Sequence, residues 1–557
     1  MTQATIFYSI SIKEKKERIF DAWKKIREKA IGLLNKNEEL SKELKDSKEE
    51  IQRLKDHIAK IEGRPKKPNF KGSSSNKDSR GKICEDGDQK NESKKGKNDN
   101  SSANKEAQKP IDIHETVKLT IPDVPDEWIF KGYKSFVVQD IKIQQHNTEY
   151  LRAYYIDKNG KCHYAELPEN IKENGHYGET LKSFVSYIYH SLRSTEGLVE
   201  LFLNDFGVRI SKSTIHSIII KGALDLKGDY NSILKTALLN SAYIQVDDTK
   251  EIHNNKAGYF TQIANEAFTW FAANDSKSKI TFLKTLHAEE VRYLFNEASI
   301  EYLKEKNILD MPILILGIVY KSKEDYEKYI GSLEIKNKAT LRYLEEAALF
   351  GSLIDMGIPV NLFIMSDDAG QFNIFKRILC WIHIERNIKK LRHVSGEFVI
   401  EVDSVLTQIW NMYFDLKEYK ITKDPDLKVS IISKFDKLTS LSVHYSELQK
   451  QLNKLSRKRV ELLAALDNPL LPLHNNLSEN NIRKAVQCRD IRGSTHSIDG
   501  RLAKCIMLSI YSTCTKCFVS FWDFLLSKTS LREGMLGLDL IAKDRLLQLN
   551  ITRSGAG

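Results

Sequence analysis

Acidic side chains at the ends of apolar strands are the residues here whose type and placement could do chemistry. Tyr243, Ile244 and Val246 lead into Asp247-Asp248-Thr249, and a second apolar run, VNLFIM, leads into Ser366-Asp367-Asp368. A third carboxylate, Glu479, follows Ser478, which the pattern makes the cap of a helix that begins at Glu479 and carries Arg483 one turn on. Hard divalent cations take oxygen ligands, and phosphodiester chemistry is served by two metals about 3.5–4 Å apart, one at the nucleophile and one at the leaving oxygen. Carboxylates carried on separate strands and a helix are a means of building such a site. A single Asp is far more often a surface charge. Two strand-end acidic doublets and a helix-start Glu in one basic chain point instead to a joint role, which either Asp of each doublet satisfies.

Basic residues follow Glu479 closely: Arg483, Lys484, Arg489 and Arg492. The planar guanidinium fork suits phosphate, so these are candidates to clamp a scissile strand. The competing reading for Arg483 is an i,i+4 ion pair with Glu479, worth roughly 0.2–0.5 kcal/mol. Cys380 and His383, a Cys-x2-His arrangement with Trp381 between, are supporting candidates for orienting the second acidic strand, against a packing cysteine and a satisfied histidine.

The elements that must position these groups are legible as patterns. Residues 242–275 read as three successive strands, and AGQFNIFKRILCWIHIERNIKKL, after the second doublet, reads as a helix. The acids are separated by 120 and 112 residues, so helical insertions are expected at about 285–358 and 395–466 within a core spanning 236–531, followed by a tail, 532–557. Upstream, residues 173–230 are helical. Ser194 or Thr195 caps one helix, Gly207 sits in the turn, and Ser211 caps a second, the spacing of a helix-turn-helix in which Lys212, Ser213, Thr214 and His216 would face bases. The alternative is a plain pair of core helices. Residues 116–172 read as a small antiparallel β domain (SFVVQDIKIQQ, TEYLRAYYID, KCHYAELP), with Lys158-Asn159-Gly160 as a hairpin turn.

The N-terminal 1–62 carries a heptad seam, Ile19, Ile26, Leu33, Leu40, Ser47, Leu54, Ile61 with Trp23, Ala30, Asn37, Leu44, Ile51, Ile58, which predicts a coiled coil and a homo-oligomer. Residues 63–115, rich in Lys, Asn, Ser and Gly, are expected to form a disordered basic linker. Of the net charge of +11, the segment 64–109 holds 13 basic and 7 acidic residues, which favours a polyanionic partner. Seven irregularly spaced cysteines make no disulfide framework, and neither a secretory signal nor an apolar run of about 18 residues is evident, so an intracellular protein with no membrane partner is expected.

The strings VDDTKEIHNNKAGYFTQIANEAFTWFAANDSKSKITFL, MSDDAGQFN, LCWIHIERNIKKL and LHNNLSENNIRKAVQCRDIRGSTHS resemble transposases of the insertion sequence 66 family, over roughly residues 120–530. The resemblance implies an α/β ribonuclease H-like core with helical insertions and a DDE triad, which maps onto Asp247, Asp367 and Glu479 as catalytic and metal-binding residues, with Asp248, Asp368, Cys380 and His383 in support. It further implies Mg2+ or Mn2+ as cofactor, transposon ends and target DNA as substrates, accessory transposition proteins, and a bacterial cytoplasmic, nucleoid-associated location. Two features depart from the family. The usual Asp-Glu-Thr at the first acid is Asp247-Asp248-Thr249, and the zinc-binding segment of many members is missing, since residues 63–240 contain only Cys84 and Cys162. The expected activity is strand cleavage and transfer. The rivals are a catalytically inactive DNA-binding derivative and a nuclease or resolvase on the same core.

Overall fold

The computed structural model describes residues 113–554 except 123–124, 126–127, 169–170, 172–174, 289, 309–311, 393–395 and 530–533. The expected coiled coil and nearly all of the expected linker lie outside the described residues. The chain divides at Val138 into two units, and the described residues of the first contain no helix or strand. The second unit, from Gln139, holds every element named below.

It opens with a hairpin, β1 (Tyr154–Ile156) and β2 (Cys162–Tyr164), whose turn is tied by the Asp157 carboxylate accepting from the Asn159 and Lys161 amides, with Gly160 at φ 77°. The sequence led us to expect a longer sheet. Residues 135–145 form no strand, and among the described residues the pairing of this region is confined to these short strands. Four helices follow: α1 (Glu179–Ser191), α2 (Glu196–Asp205), α3 (Lys212–Leu224) and α4 (Lys227–Asn240). Thr195 caps α2 and Ser211 caps α3 through their hydroxyls, and Gly207 turns the chain at φ 81°. A separate small core of Val185, Ile188, Val199, Leu203, Ile215 and Ile219 holds α1–α3 together.

Next come three antiparallel strands, β3 (Tyr243–His253), β4 (Lys256–Ala264) and β5 (Thr269–Asn274), then α5 (Lys279–Leu286). The first expected insertion comprises β6 (Tyr293–Leu294), α6 (Glu297–Glu305), β7 (Val319–Tyr320), α7 (Lys323–Gly331) and α8 (Lys338–Asp355). Two further sheet strands, β8 (Phe363–Ser366) and β9 (Lys376–Leu379), join in parallel and give the order β5-β4-β3-β8-β9. The segment after the second doublet is therefore not one helix. It is a turn of 3-10 helix, then β9, then α9 (Trp381–Lys389), because Ile378 and Leu379 are drawn into the buried sheet.

The second expected insertion contains helices and no strand among the described residues: α10 (Glu397–Thr422), α11 (Pro425–Thr439), α12 (Ser446–Arg457) and α13 (Arg459–Leu463). The chain closes with α14 (Asn476–Arg492), α15 (Ile498–Lys516), α16 (Phe521–Ser527) and α17 (Leu538–Ser554).

One large core runs from α4 through the sheet to α8 and α15. β5 lies at the sheet edge, where unpaired amides and carbonyls would invite another strand. Helix α15 covers it: the Ser509 hydroxyl accepts from the Phe271 amide, and the Thr513 hydroxyl both accepts from and donates to the Thr269 backbone. The mixed α/β architecture, with this central sheet among many helices, is compatible with the ribonuclease H-like core that the resemblance implies. Among the described residues no single helix is long and apolar enough to cross a membrane.

Candidate active site

Strand register brings the two acidic doublets together. β3 and β8 pair in parallel through Tyr243 with Phe363, Ile244 with Ile364 and Gln245 with Met365, so Asp247 and Asp367, each two residues further on, stand side by side. The first doublet is not at a strand end as its sequence suggested. It lies within β3, which runs on to His253 because β4 continues the ladder, Asp247 opposite Gln262 and Asp248 opposite Thr261.

Glu479 reaches the same place through the start of α14. The Asn475 side-chain amide donates to the Val246 carbonyl at 3.0 Å, and the Asn475 backbone amide donates to the Cys380 sulfur at 3.2 Å. One buried Asn thus fastens the first turn of α14 both to β3, beside Asp247, and to the head of α9. The helix starts at Asn476, so Ser478 is not its cap. The Ser478 hydroxyl is buried in the first turn without a hydrogen-bond partner among the described residues, and Glu479 belongs to that turn.

Electrostatics distinguish the members of each doublet. Burial pushes the Asp247 carboxyl up to about 7 against the pull of the Asp248 amide, and the charges of Asp367, Asp248 and Glu479 add to the rise. Asp248 is also raised by burial, and it is engaged by Thr261 and by Gln371, whose Nε2 donates to Oδ2 at 2.9 Å. Asp367 is exposed and caps its own turn, accepting from the Ala369 amide at 3.1 Å. Asp368 sits at φ 82°, a left-handed conformation unusual for a residue with a side chain, and is bound by Arg377, Lys454 and Lys458. Burial pushes its carboxyl up, but those three cations outweigh it and hold it below the usual carboxylate range.

Glu479 is paired. Arg386 Nη1 donates to its Oε1 at 2.9 Å and His383 Nε2 stands 3.8 Å away. Burial depresses the His383 imidazole, opposed by the charges of Glu479 and Asp367. The Cys380 thiol is buried and raised to about 11, so it serves as a neutral acceptor for Asn475. The i,i+4 pair between Arg483 and Glu479 does not form, because Arg386 holds the carboxylate while Arg483 reaches Asn480.

The other proposed phosphate clamps are largely occupied within the fold. Arg489 donates to the Lys250 carbonyl. Arg492 lies 3.7 Å from the Tyr189 ring centroid and donates to the Ser194 and Tyr189 carbonyls, and Lys484 is half-buried near the Tyr511 ring. Of the four α3 residues, Lys212, Ser213 and His216 are exposed, but His216 pairs with Glu196 at 2.7 Å and the hydroxyls of Ser213 and Thr214 join the Ser211 cap. They share no hydrogen bond or ion pair with Asp247, Asp367 or Glu479 among the described residues.

Sequence reasoning missed Arg386, Gln371 and Asn475. Arg386 follows His383 by one helical turn, a spacing that could have suggested a shared target, whereas nothing in the string LHNNLSEN marks which Asn turns inward.

Residues 360–502 match the transposase IS66 family, a span that contains Asp367, the Cys-x2-His pair, the second insertion and Glu479. A relative in Sinorhizobium fredii (strain NBRC 101917 / NGR234), the uncharacterized protein y4jO, is 35% identical over 301 residues, which is 53% of this chain and 93% of that protein. The chain belongs to the transposase IS66 family. Membership in this transposase family implies DNA as a partner and divalent metal as the usual cofactor. Among the described residues no three His, Cys, Asp or Glu side chains converge closely enough to enclose a metal ion. The donor chemistry nonetheless fits a hard cation. Asp247 and Asp367 offer carboxylate oxygens, neither makes an ion pair among the described residues, and Asp247 is raised by burial first and then by the charges of Asp367, Asp248 and Glu479.

Proposed function

We propose that the chain is a DNA transposase of the DDE type on a ribonuclease H-like core, with Asp247, Asp367 and Glu479 as the triad. The observation that carries this reading is the parallel register that sets Asp247 beside Asp367, with α14 fastened to β3 at Val246. Asp247 and Asp367 would hold Mg2+ or Mn2+, and Glu479 would join them on leaving its ion pair with Arg386. Bound there, the metal supplies a lowered water pKa and charge stabilisation at the phosphate. The chain's own groups have separate tasks. Gln371 and Thr261 fix Asp248 and keep it as a neighbour, the three cations on Asp368 fix the turn after β8, and Arg386 and His383 hold Glu479. The capped pair α2 and α3 would act as a helix-turn-helix reading transposon ends through Lys212, with Ser213, Thr214 and His216 after release from their present partners. The seam in residues 1–62 would make the homo-oligomer, and residues 63–115 would add sequence-independent attraction to DNA. Accessory proteins would complete the reaction.

A strand-transfer assay on short duplexes carrying transposon ends tests the reading. Asp247→Asn, Asp367→Asn and Glu479→Gln should each abolish cleavage while leaving end binding in place, and retained cleavage in any of them would remove that residue from the triad. The Glu479–Arg386 pair, which engages the third carboxylate, favours a second reading, a DNA-binding derivative without catalysis. It predicts end binding with no product from the unaltered protein in Mg2+ or Mn2+.

A further inference from the structure

Beside the acidic cluster lies a cleft of about 370 Å³. Lys277, Lys279, Lys306 and Arg342 line it, with Glu346 as its one carboxylate and Gln371 at its wall. Gln371 is the residue that donates to Asp248, so the cleft shares a wall with the carboxylates, and the Lys277 charge already acts on Asp248. The four cations come from three separate stretches of chain: the turn before α5 and its first residue, the end of α6, and the first half of α8. Glu346 is buried and committed inward, accepting from the Tyr302 hydroxyl at 2.6 Å and lying 3.7 Å from Lys279 and 3.8 Å from Arg342. Lys277 and Lys306 have no ion pair among the described residues. The Lys277 Nζ lies 5.1 Å from the Tyr259 ring centroid and the Lys306 Nζ 4.6 Å from that of Tyr302, so each ammonium rests on an aromatic face and keeps N–H donors that the ring does not use.

We propose that this cleft seats the phosphodiester backbone of the DNA strand flanking the reacting phosphate. The inference rests on the reading of the carboxylates as a DNA-cleaving site, and it assigns the backbone contacts to the start of α5 together with the first insertion rather than to the arginines of α14. Ammonium and guanidinium groups supply the charge, and the amide of Gln371 lies between the cleft and the carboxylates. A backbone crossing here has several phosphates, so its binding must release several counterions, which a small anion does not do.

The test uses the full-length protein and a short labelled duplex of random sequence, titrated at several salt concentrations. The variant is Lys277→Gln with Lys306→Gln and Arg342→Gln. Its slope of log affinity against log salt should fall by about two to three units, roughly 0.9 for each phosphate that is no longer neutralised, and its affinity at low salt by roughly tenfold or more. The Mg2+-induced shift in thermal midpoint should match that of the unaltered protein, which shows that the fold and the carboxylates are intact. An unchanged slope and affinity would overturn the proposal, as would displacement of the duplex by low millimolar inorganic phosphate with no change in slope, which makes the cleft a small-anion pocket. Failure of the underlying reading looks different. If Asp367→Asn keeps full cleavage while the triple variant loses affinity, the triad falls and the cleft stands.

Discussion

Burial makes the charged form of Asp247 costly, and the neighbouring charges of Asp367, Asp248 and Glu479 add to that cost. The Asp247 carboxyl stands near 7 in the folded protein against 3.8 for the free group, so the native state binds more protons than the unfolded state between those values. Stability therefore falls as pH rises from about 4 to 7, and the cost is fully present above 7. Asp247→Asn should raise the thermal midpoint of the metal-free protein at pH 8, by an amount equivalent to roughly 2–4 kcal/mol, and should change little at pH 4. Mg2+ should stabilise the unaltered protein and not the variant. Calorimetry at the two pH values decides the matter, and a variant no more stable than the parent at pH 8 would refute the account. The neighbours should separate as well. Asp248→Asn should retain cleavage, since its partners are a neutral amide and a hydroxyl, whereas Asp368→Asn leaves Arg377, Lys454 and Lys458 crowded without their anion and should unfold at lower denaturant. If Asp368→Asn unfolded at the same midpoint as Asp248→Asn, the three-cation clasp would have no structural weight.

At the scale of elements, Arg501 on α15 locks the far end of β3. Its Nε donates to the buried Glu251 carboxylate at 3.1 Å, its Nη2 to the Asn274 carbonyl at 3.0 Å, and Lys504 adds a second cation to Glu251 at 3.1 Å. Gly258 on β4 makes room for it, because a Cβ there would meet Arg501 Nη2 at 2.7 Å. Removing one partner of a buried pair strands the other charge, so Arg501→Met should destabilise by about 3–5 kcal/mol in urea unfolding. A loss under about 1 kcal/mol would mean that Lys504 alone satisfies Glu251. This lock also marks where sequence reading stops. The strands around Asp247 and Asp367 were legible because apolar runs ended in acids, and the caps Thr195 and Ser211 were legible because capping is local. Arg501 with Glu251, and Arg386 with Glu479, lie 250 and 93 residues apart, so no local pattern joins them. Ile378 and Leu379 were absorbed into an imagined helix because a short buried strand has no period of its own.

For the whole molecule, the separation of functions along the chain predicts that removing residues 1–62 abolishes self-association and leaves the remainder folded. Sedimentation of the truncated protein checks this, and an oligomer of unchanged subunit number would assign assembly elsewhere. The second insertion has a different consequence. The Trp381 amide donates to the Leu473 carbonyl at 3.1 Å, so the backbone that departs after Trp381 returns beside its own starting point at Leu473, while side chains such as Lys454, Lys458 and Arg386 touch the core from within the excursion. The backbone within that excursion is thus not what holds Glu479 near Asp247. That task falls to Asn475 on Val246 and to α15 along β5. The gene could therefore be cut in two at the turn after Ser440, between α11 and α12. The piece carrying both aspartates and the piece carrying the glutamate, produced together, should co-elute as one particle, and whether strand cleavage occurs would then depend on their meeting.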